Sequence, residues 1–105
     1  ASLERPEIQI SALPPGAVVL DLRSKAAFQG WHYPDALFLD FPHALRAYAQ
    51  LDPDPSYVLY CEFGLKSGHL AELMRREGLQ AWHFAGGFKA LVDYAKSQGL
   101  ATPEL

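Results

Sequence analysis

One cysteine stands in this chain of 105 residues, at position 61. It follows the apolar run Tyr57-Val58-Leu59-Tyr60 and opens the segment Cys61-Glu62-Phe63-Gly64-Leu65-Lys66-Ser67. The reactive form of cysteine is the thiolate, and a free thiol has a pKa of about 8.5. Chemistry near neutral pH therefore needs surroundings that stabilise the anion. Gly64 permits backbone angles that other residues avoid, so the segment can curl with several N–H groups turned inward. A helix beginning near Ser67 would aim its positive end at that concavity. Lys66 adds a formal positive charge. Such a cradle suits a thiolate, the outer sulfur of a persulfide (Cys–S–S⁻), or a phosphate or arsenate oxyanion. A lone intracellular cysteine is more often a small buried hydrophobe. Its place between a strand, a glycine-containing loop and a helix makes Cys61 a candidate nucleophile.

The elements that must position Cys61 alternate along the chain. Short β-like runs are expected at Ile8-Gln9-Ile10, Val18-Val19-Leu20-Asp21-Leu22, Ala36-Leu37-Phe38-Leu39, Tyr57-Val58-Leu59-Tyr60 and Ala81-Trp82-His83-Phe84. Unbroken apolar runs of this kind suit strands covered on both faces. Between them lie helical patterns. Ser24 can cap a short helix closed by Gly30, and Pro42 fits the first turn of a helix running to about Gln50. From Ser67 to Glu77, Leu70, Ala71, Leu73 and Met74 share a face, with Glu72, Arg75 and Arg76 opposite. Gly86-Gly87 turns into a last helix with Phe88, Leu91, Val92 and Ala95 inward. Such alternation predicts a parallel sheet with helices on both faces and the loops after each strand on one edge, where ligands bind. Cys61 falls on that edge. Asp21 and Arg23 close the second strand at the same edge, where a helix cap or an ion pair supporting the loop is their expected role. His69 reads as a solvent-facing helix residue. Trp31, Tyr33, Phe63 and Trp82 read as core or rim packing.

Composition bounds the rest. Half the residues are hydrophobic and 20% are charged, as in an ordinary globular chain of one domain spanning residues 1–105. A net charge of -3 argues against bulk electrostatic binding to nucleic acid. No apolar run approaches a membrane span. The start, Ala1-Ser2-Leu3-Glu4-Arg5-Pro6, is polar and unlike a signal peptide. It opens on Ala rather than Met, which fits a processed chain or a piece of a longer one. A single cysteine forms no internal disulfide, so a reducing cytoplasm is the expected location. His32, His43, His69 and His83 lack the paired spacing of a zinc site, and neither a metal nor a cofactor is expected.

The segment from Cys61 to Ser67 resembles the active-site loop of rhodanese-like domains, Cys-x-x-Gly-x-[Arg/Lys]-[Ser/Thr]. Asp21-Leu22-Arg23 resembles that family's Asp-x-Arg. Phe28, Gly30 and His32-Tyr33-Pro34-Asp35-Ala36 resemble its Phe…Gly-His-Ile-Pro-Gly-Ala stretch, and Phe84-Ala85-Gly86-Gly87-Phe88 its last turn. These pieces occur in order along nearly the whole chain. The resemblance implies a three-layer α/β/α fold around a central, mainly parallel five-stranded sheet. It also implies a sulfurtransferase in which Cys61 carries sulfur as a persulfide. Glu62, Phe63, Gly64, Leu65, Lys66 and Ser67 would form the binding loop, with Asp21 and Arg23 in support. The implied donor is a cysteine desulfurase persulfide or thiosulfate. The implied acceptor is a thiol, a tRNA-modifying protein or a sulfur carrier. The loop is also similar to that of the C-terminal rhodanese-like domain on some tRNA 4-thiouridine synthetases, which implies a role in tRNA thiolation or thiazole synthesis. Any second cysteine needed to complete transfer would then lie in another domain or protein.

Departures from the pattern bear on the substrate. Trp31 is an extra residue between Gly30 and His32, and Asp35 replaces a glycine. Lys66 lacks the planar fork of arginine that would grip thiosulfate, and Glu62 sets a negative charge beside the nucleophile. Two rival functions differ at the same loop. Cell-cycle tyrosine phosphatases, and arsenate reductases of the same fold, need a wider cradle; the phosphatase loop is Cys-x5-Arg, whereas here the sixth residue beyond Cys61 is Ser67. An inactive interaction module of this family would usually lack the cysteine.

Overall fold

The computed structural model describes residues 8–103. The polar start, residues 1–6, lies outside them. The elements run β1 (Gln9–Ile10), β2 (Val18–Asp21), α1 (Lys25–Gly30), β3 (Leu37–Phe38), α2 (Phe41–Ala47), β4 (Ser56–Tyr60), α3 (Leu65–Arg76), β5 (Gln80–Phe84) and α4 (Gly87–Ser97). The sheet order is β1-β5-β4-β2-β3, and every neighbouring pair is parallel. β4, the run that leads into Cys61, is the central strand. With helices packed on both faces, this is the three-layer α/β/α architecture expected from the sequence. No helix among the described residues is long and apolar enough to cross a membrane.

Local chemistry sets the element ends. Ser24 accepts the N–H of Ala27 and caps α1. Asp40 accepts the N–H of His43 and caps α2, with Pro42 in its first turn. α2 stops at Ala47 and passes into a 3-10 turn over Tyr48–Gln50, so the α-helix is shorter than its sequence suggests. β3 keeps only two residues of the predicted run because it sits at the sheet edge. Asp35 holds φ at 67°, the left-handed conformation a glycine would adopt. The turn still closes, with the Ala36 N–H bonded to the Tyr33 carbonyl at 2.9 Å and Pro34 ahead of the left-handed position. Asp35 thus takes a conformation that glycine adopts more readily, and the turn closes around it.

Side chains alternate across the sheet. Leu20, Leu22, Leu59 and Cys61 pack with Leu70, Ala71 and Met74 of α3. Val19, Val58 and Tyr60 pack with Phe84 and Leu91, backed by Phe28 and Phe88. Asp21 pairs in register with Tyr60. Both side chains are fully buried, and the Tyr60 hydroxyl donates to Asp21 Oδ2 at 2.6 Å. Burial, followed by that hydrogen bond, pushes the Tyr60 hydroxyl far above its ordinary pKa, so it stays a donor. Arg23 donates from Nη2 to the same carboxylate oxygen at 2.7 Å and from Nε to Oδ1 at 3.1 Å. Its guanidinium also bonds the Trp31 carbonyl and lies 4.1 Å from the centre of the Phe88 ring. One buried ion pair therefore ties β2 to the end of α1 and the start of α4.

Removing one partner of a buried pair leaves an uncompensated charge. Arg23→Leu should therefore lower unfolding stability by about 3–5 kcal/mol in urea titration. A loss below about 1 kcal/mol would mean that Asp21 finds another partner.

Candidate active site

Three backbone features shape the segment after β4. Gly64 has φ of 90° and is the N-cap of α3, which begins at Leu65, two residues earlier than the sequence suggests. Ser67 is therefore the third helical residue, and its N–H is one of the first-turn donors without a partner inside the helix. The Cys61 Sγ fills that role. It accepts from Gly64 N–H at 3.2 Å and from Ser67 N–H at 3.4 Å. The positive end of a 12-residue helix thus faces the sulfur.

The far side of the loop is held by α4. Glu62 offers its carbonyl to the N–H of Phe88, at 3.0 Å. Gly87 has φ of 74°. A Cβ there would fall 2.4 Å from the Glu62 carbonyl oxygen and 2.9 Å from Phe63 Cα. Only glycine lets the two backbones approach this closely.

Cys61 is 2% exposed. It opens on a cleft of about 290 Å³ lined also by Glu62, Phe63, Leu65 and Lys66. Lys66 is exposed, and its ammonium lies 5.7 Å from the centre of the Phe41 ring. Phe63 and Leu65 stand out at 86% and 81% exposure. The structure thus brings the whole predicted loop around Cys61, with backbone donors beneath the sulfur and a rim of Phe63, Leu65, Lys66 and Glu62 above it.

Asp21 and Arg23 sit elsewhere. Their side chains pack on the opposite face of the sheet from Cys61, and they meet the loop's neighbours Tyr60 and Phe88. His69 is exposed on α3. Trp31 packs edge-on against Phe88 and donates to the Ala101 carbonyl, while Trp82 lies under the Arg75 guanidinium. Sequence inspection missed His83. This buried β5 residue places Nδ1 3.3 Å from the Ser67 hydroxyl oxygen, which is 3.5 Å from Cys61 Sγ. The available signal was strand alternation, which puts a polar ring on the same inward face as Ala81. Among the described residues no cluster of His, Cys, Asp or Glu could hold a metal ion.

The profile of the rhodanese-like domain matches residues 6–93. The chain belongs to the rhodanese-like domain family. This rhodanese-like domain is 36% identical over 76 residues to a tRNA sulfurtransferase of Pyrobaculum aerophilum, covering 72% of this chain and 16% of that protein. It is 32% identical over 72 residues to a tRNA sulfurtransferase of Thermoplasma acidophilum, covering 69% and 14%. The chain thus spans about a sixth of the length of these curated relatives. In fold it is similar to a rhodanese-related protein of Thermoplasma volcanium, with a TM-score of 0.68, 19% identity and 82% of each chain covered.

The close approach of Gly87 gives a test of what holds the loop. Gly87→Ala should displace residues 62–63 and slow Cys61 alkylation by iodoacetamide. Gly78→Ala shares the positive φ but meets no atom within 4 Å. It should cost only the left-handed strain of about 1–2 kcal/mol and leave alkylation unchanged.

Proposed function

We propose that this rhodanese-like domain is a sulfurtransferase that carries one sulfur atom as a persulfide on Cys61. The observation that carries the proposal is the convergence of Gly64 N–H and Ser67 N–H on a single atom, the Cys61 Sγ. The outer sulfur of a persulfide sits about 2 Å beyond Sγ. There it enters the cleft beside Lys66, whose charge complements the terminal anion.

The reaction proceeds in two displacements. Cys61 thiolate attacks the outer sulfur of a donor persulfide. The donor S–S bond breaks, the donor leaves as its thiolate, and Cys61–S–S⁻ forms. An acceptor nucleophile then takes the outer sulfur and Cys61 leaves as thiolate. The chain needs no metal for either step. Loop length disfavours the phosphatase alternative, since a tetrahedral phosphoryl group requires a ring of donors around three oxygens.

The rim supports a protein persulfide as donor over free thiosulfate. A hydrated dianion gains nothing from Phe63 and Leu65, whereas a partner surface desolvates both. A cysteine desulfurase persulfide fits this chemistry. The tRNA sulfurtransferases that the chain resembles support a tRNA-modifying protein as the next station, with a second thiol supplied outside residues 8–103.

Incubation with a cysteine desulfurase and cysteine should add the mass of one sulfur atom to the protein, removable by dithiothreitol. Cys61→Ala should abolish the adduct while retaining the fold. Phe63→Ser should slow loading from the desulfurase several-fold and leave loading from thiosulfate unchanged. A wild-type protein that stays at its starting mass with both donors would refute the proposal.

A further inference from the structure

Ser67 occupies a junction. Its hydroxyl is fully buried and has three polar neighbours. Cys61 Sγ lies at 3.5 Å, the Gly64 carbonyl oxygen at 3.3 Å and His83 Nδ1 at 3.3 Å. A hydroxyl carries one proton, so it serves one acceptor at a time; the Gly64 carbonyl can only accept, whereas the Cys61 thiol and a protonated Nδ1 can donate to Oγ. His83 in turn lies against a second cavity. This cavity of about 410 Å³ shares Phe63 and Leu65 with the cleft over Cys61, whereas Gly64, Gly68, His69, Glu72 and His83 line only the second cavity. The Cε1–Nε2 edge of the imidazole is the part nearest to Gly68: a Cβ on Gly68 would lie 3.3 Å from both atoms. Cys61 lines the first cavity and His83 the second, with Ser67 between them.

We propose that Ser67 and His83 form a proton exit from Cys61 into the second cavity, with Ser67 as a catalytic residue touching the sulfur and His83 as the positioning residue behind it. The inference rests on Cys61 being the nucleophile of the proposed function. It answers a problem which that function creates. A protein donor covers the cleft over Cys61 and blocks water from the thiol just when its proton must leave. The second, back cavity gives His83 a contact with water that does not pass through the cleft lined by Cys61.

The step balances as follows. His83 begins neutral with its proton on Nε2 and a lone pair on Nδ1. The Cys61 S–H bond breaks and its proton passes to Ser67 Oγ as the Ser67 hydroxyl proton passes to Nδ1. The imidazolium then releases its Nε2 proton to water in the back cavity. One proton reaches solvent, Cys61 becomes a thiolate, and nothing is oxidised or reduced. The chain is left in the arrangement that favours the anion: Nδ1–H donates to Ser67 Oγ, and the Ser67 O–H donates to sulfur. Burial holds the His83 imidazole below its ordinary pKa, so it rests neutral with a lone pair on one nitrogen, and the imidazolium is short-lived and sheds its proton readily. The titratable groups sharing its cavity are His69 and Glu72 of α3, both nearer the open side by exposure. On the inner side the titratable neighbour is Cys61.

The test is the pH profile of Cys61 alkylation by iodoacetamide, which needs no sulfur donor and so can fail independently of sulfur loading. In His83→Leu and in Ser67→Ala the rate at neutral pH should fall about three- to tenfold, the ratio for a displacement of half to one pH unit. Ser67→Thr keeps the hydroxyl and should restore the wild-type profile. At alkaline pH, where the thiol is fully ionised, all four proteins should react at the same rate, which a merely distorted loop would not do. Ser67→Ala leaves His83 in place, so the link is severed even if His83→Leu does not fold. Superimposable profiles for wild type and Ser67→Ala would overturn the proposal, as would a rate deficit in the variants that is equal at every pH.

Discussion

The Phe88 N–H lies at the first turn of α4, where a helix leaves donors without internal acceptors. The Glu62 carbonyl takes that donor at 3.0 Å, and the contact exists only because Gly87 carries no Cβ. Everything about the loop depends on this approach. It fixes the first peptide after Cys61, so that the chain can turn at Gly64 and enter α3 with its leading N–H groups beneath the sulfur. Two helix N-termini thus share one six-residue segment. One grips the loop from behind, and the other supplies the donors that face Sγ.

The same region shows how a strand separates structure from chemistry. Tyr60 and Cys61 are neighbours in sequence and face opposite sides of the sheet. Below the sheet on the Tyr60 side, Asp21, Arg23 and the phenol form a buried, fully bonded network that clamps α1 and α4. On the Cys61 side the polar groups are fewer: Ser67, His83 and two amides. A buried ion pair is weak evidence for net stability, but breaking it is costly. Its service to the site is indirect: it seats Phe88, and Phe88 seats Glu62.

Much of this was legible in the sequence. The alternation of apolar runs with helical periodicity gave the layer order, and the central strand is the most strand-like run, Tyr57-Val58-Leu59-Tyr60. A strand before and a helix after made Cys61 a candidate, and the resemblance of the segment from Cys61 to Ser67 to the rhodanese-like loop is what named the residues from Glu62 to Ser67. Other features required three-dimensional register. Whether Asp21 shares a face with Cys61 depends on its pairing with Tyr60 rather than with the next residue, and a shift of one residue reverses the answer. α3 starts two residues before its sequence suggests, because a left-handed glycine can cap a helix without any side-chain signal. His83 was invisible as a site residue because its partner Ser67 lies 16 positions away and meets it only across the α3–β5 contact. Asp35 shows the converse, a left-handed position held by a residue other than glycine, which residue type alone does not reveal.

The central claim is that one sulfur atom sits on Cys61 within the cradle of Gly64, Lys66 and Ser67. The most direct test is to load the protein with a single sulfur and compare its amide resonances with those of the reduced form. The expected result is that the largest changes fall on residues 61–67, with Gly64 and Ser67 foremost, while the Asp21, Arg23 and Tyr60 network across the sheet stays unmoved. A loaded protein whose changes spare the Gly64 and Ser67 amides would contradict it.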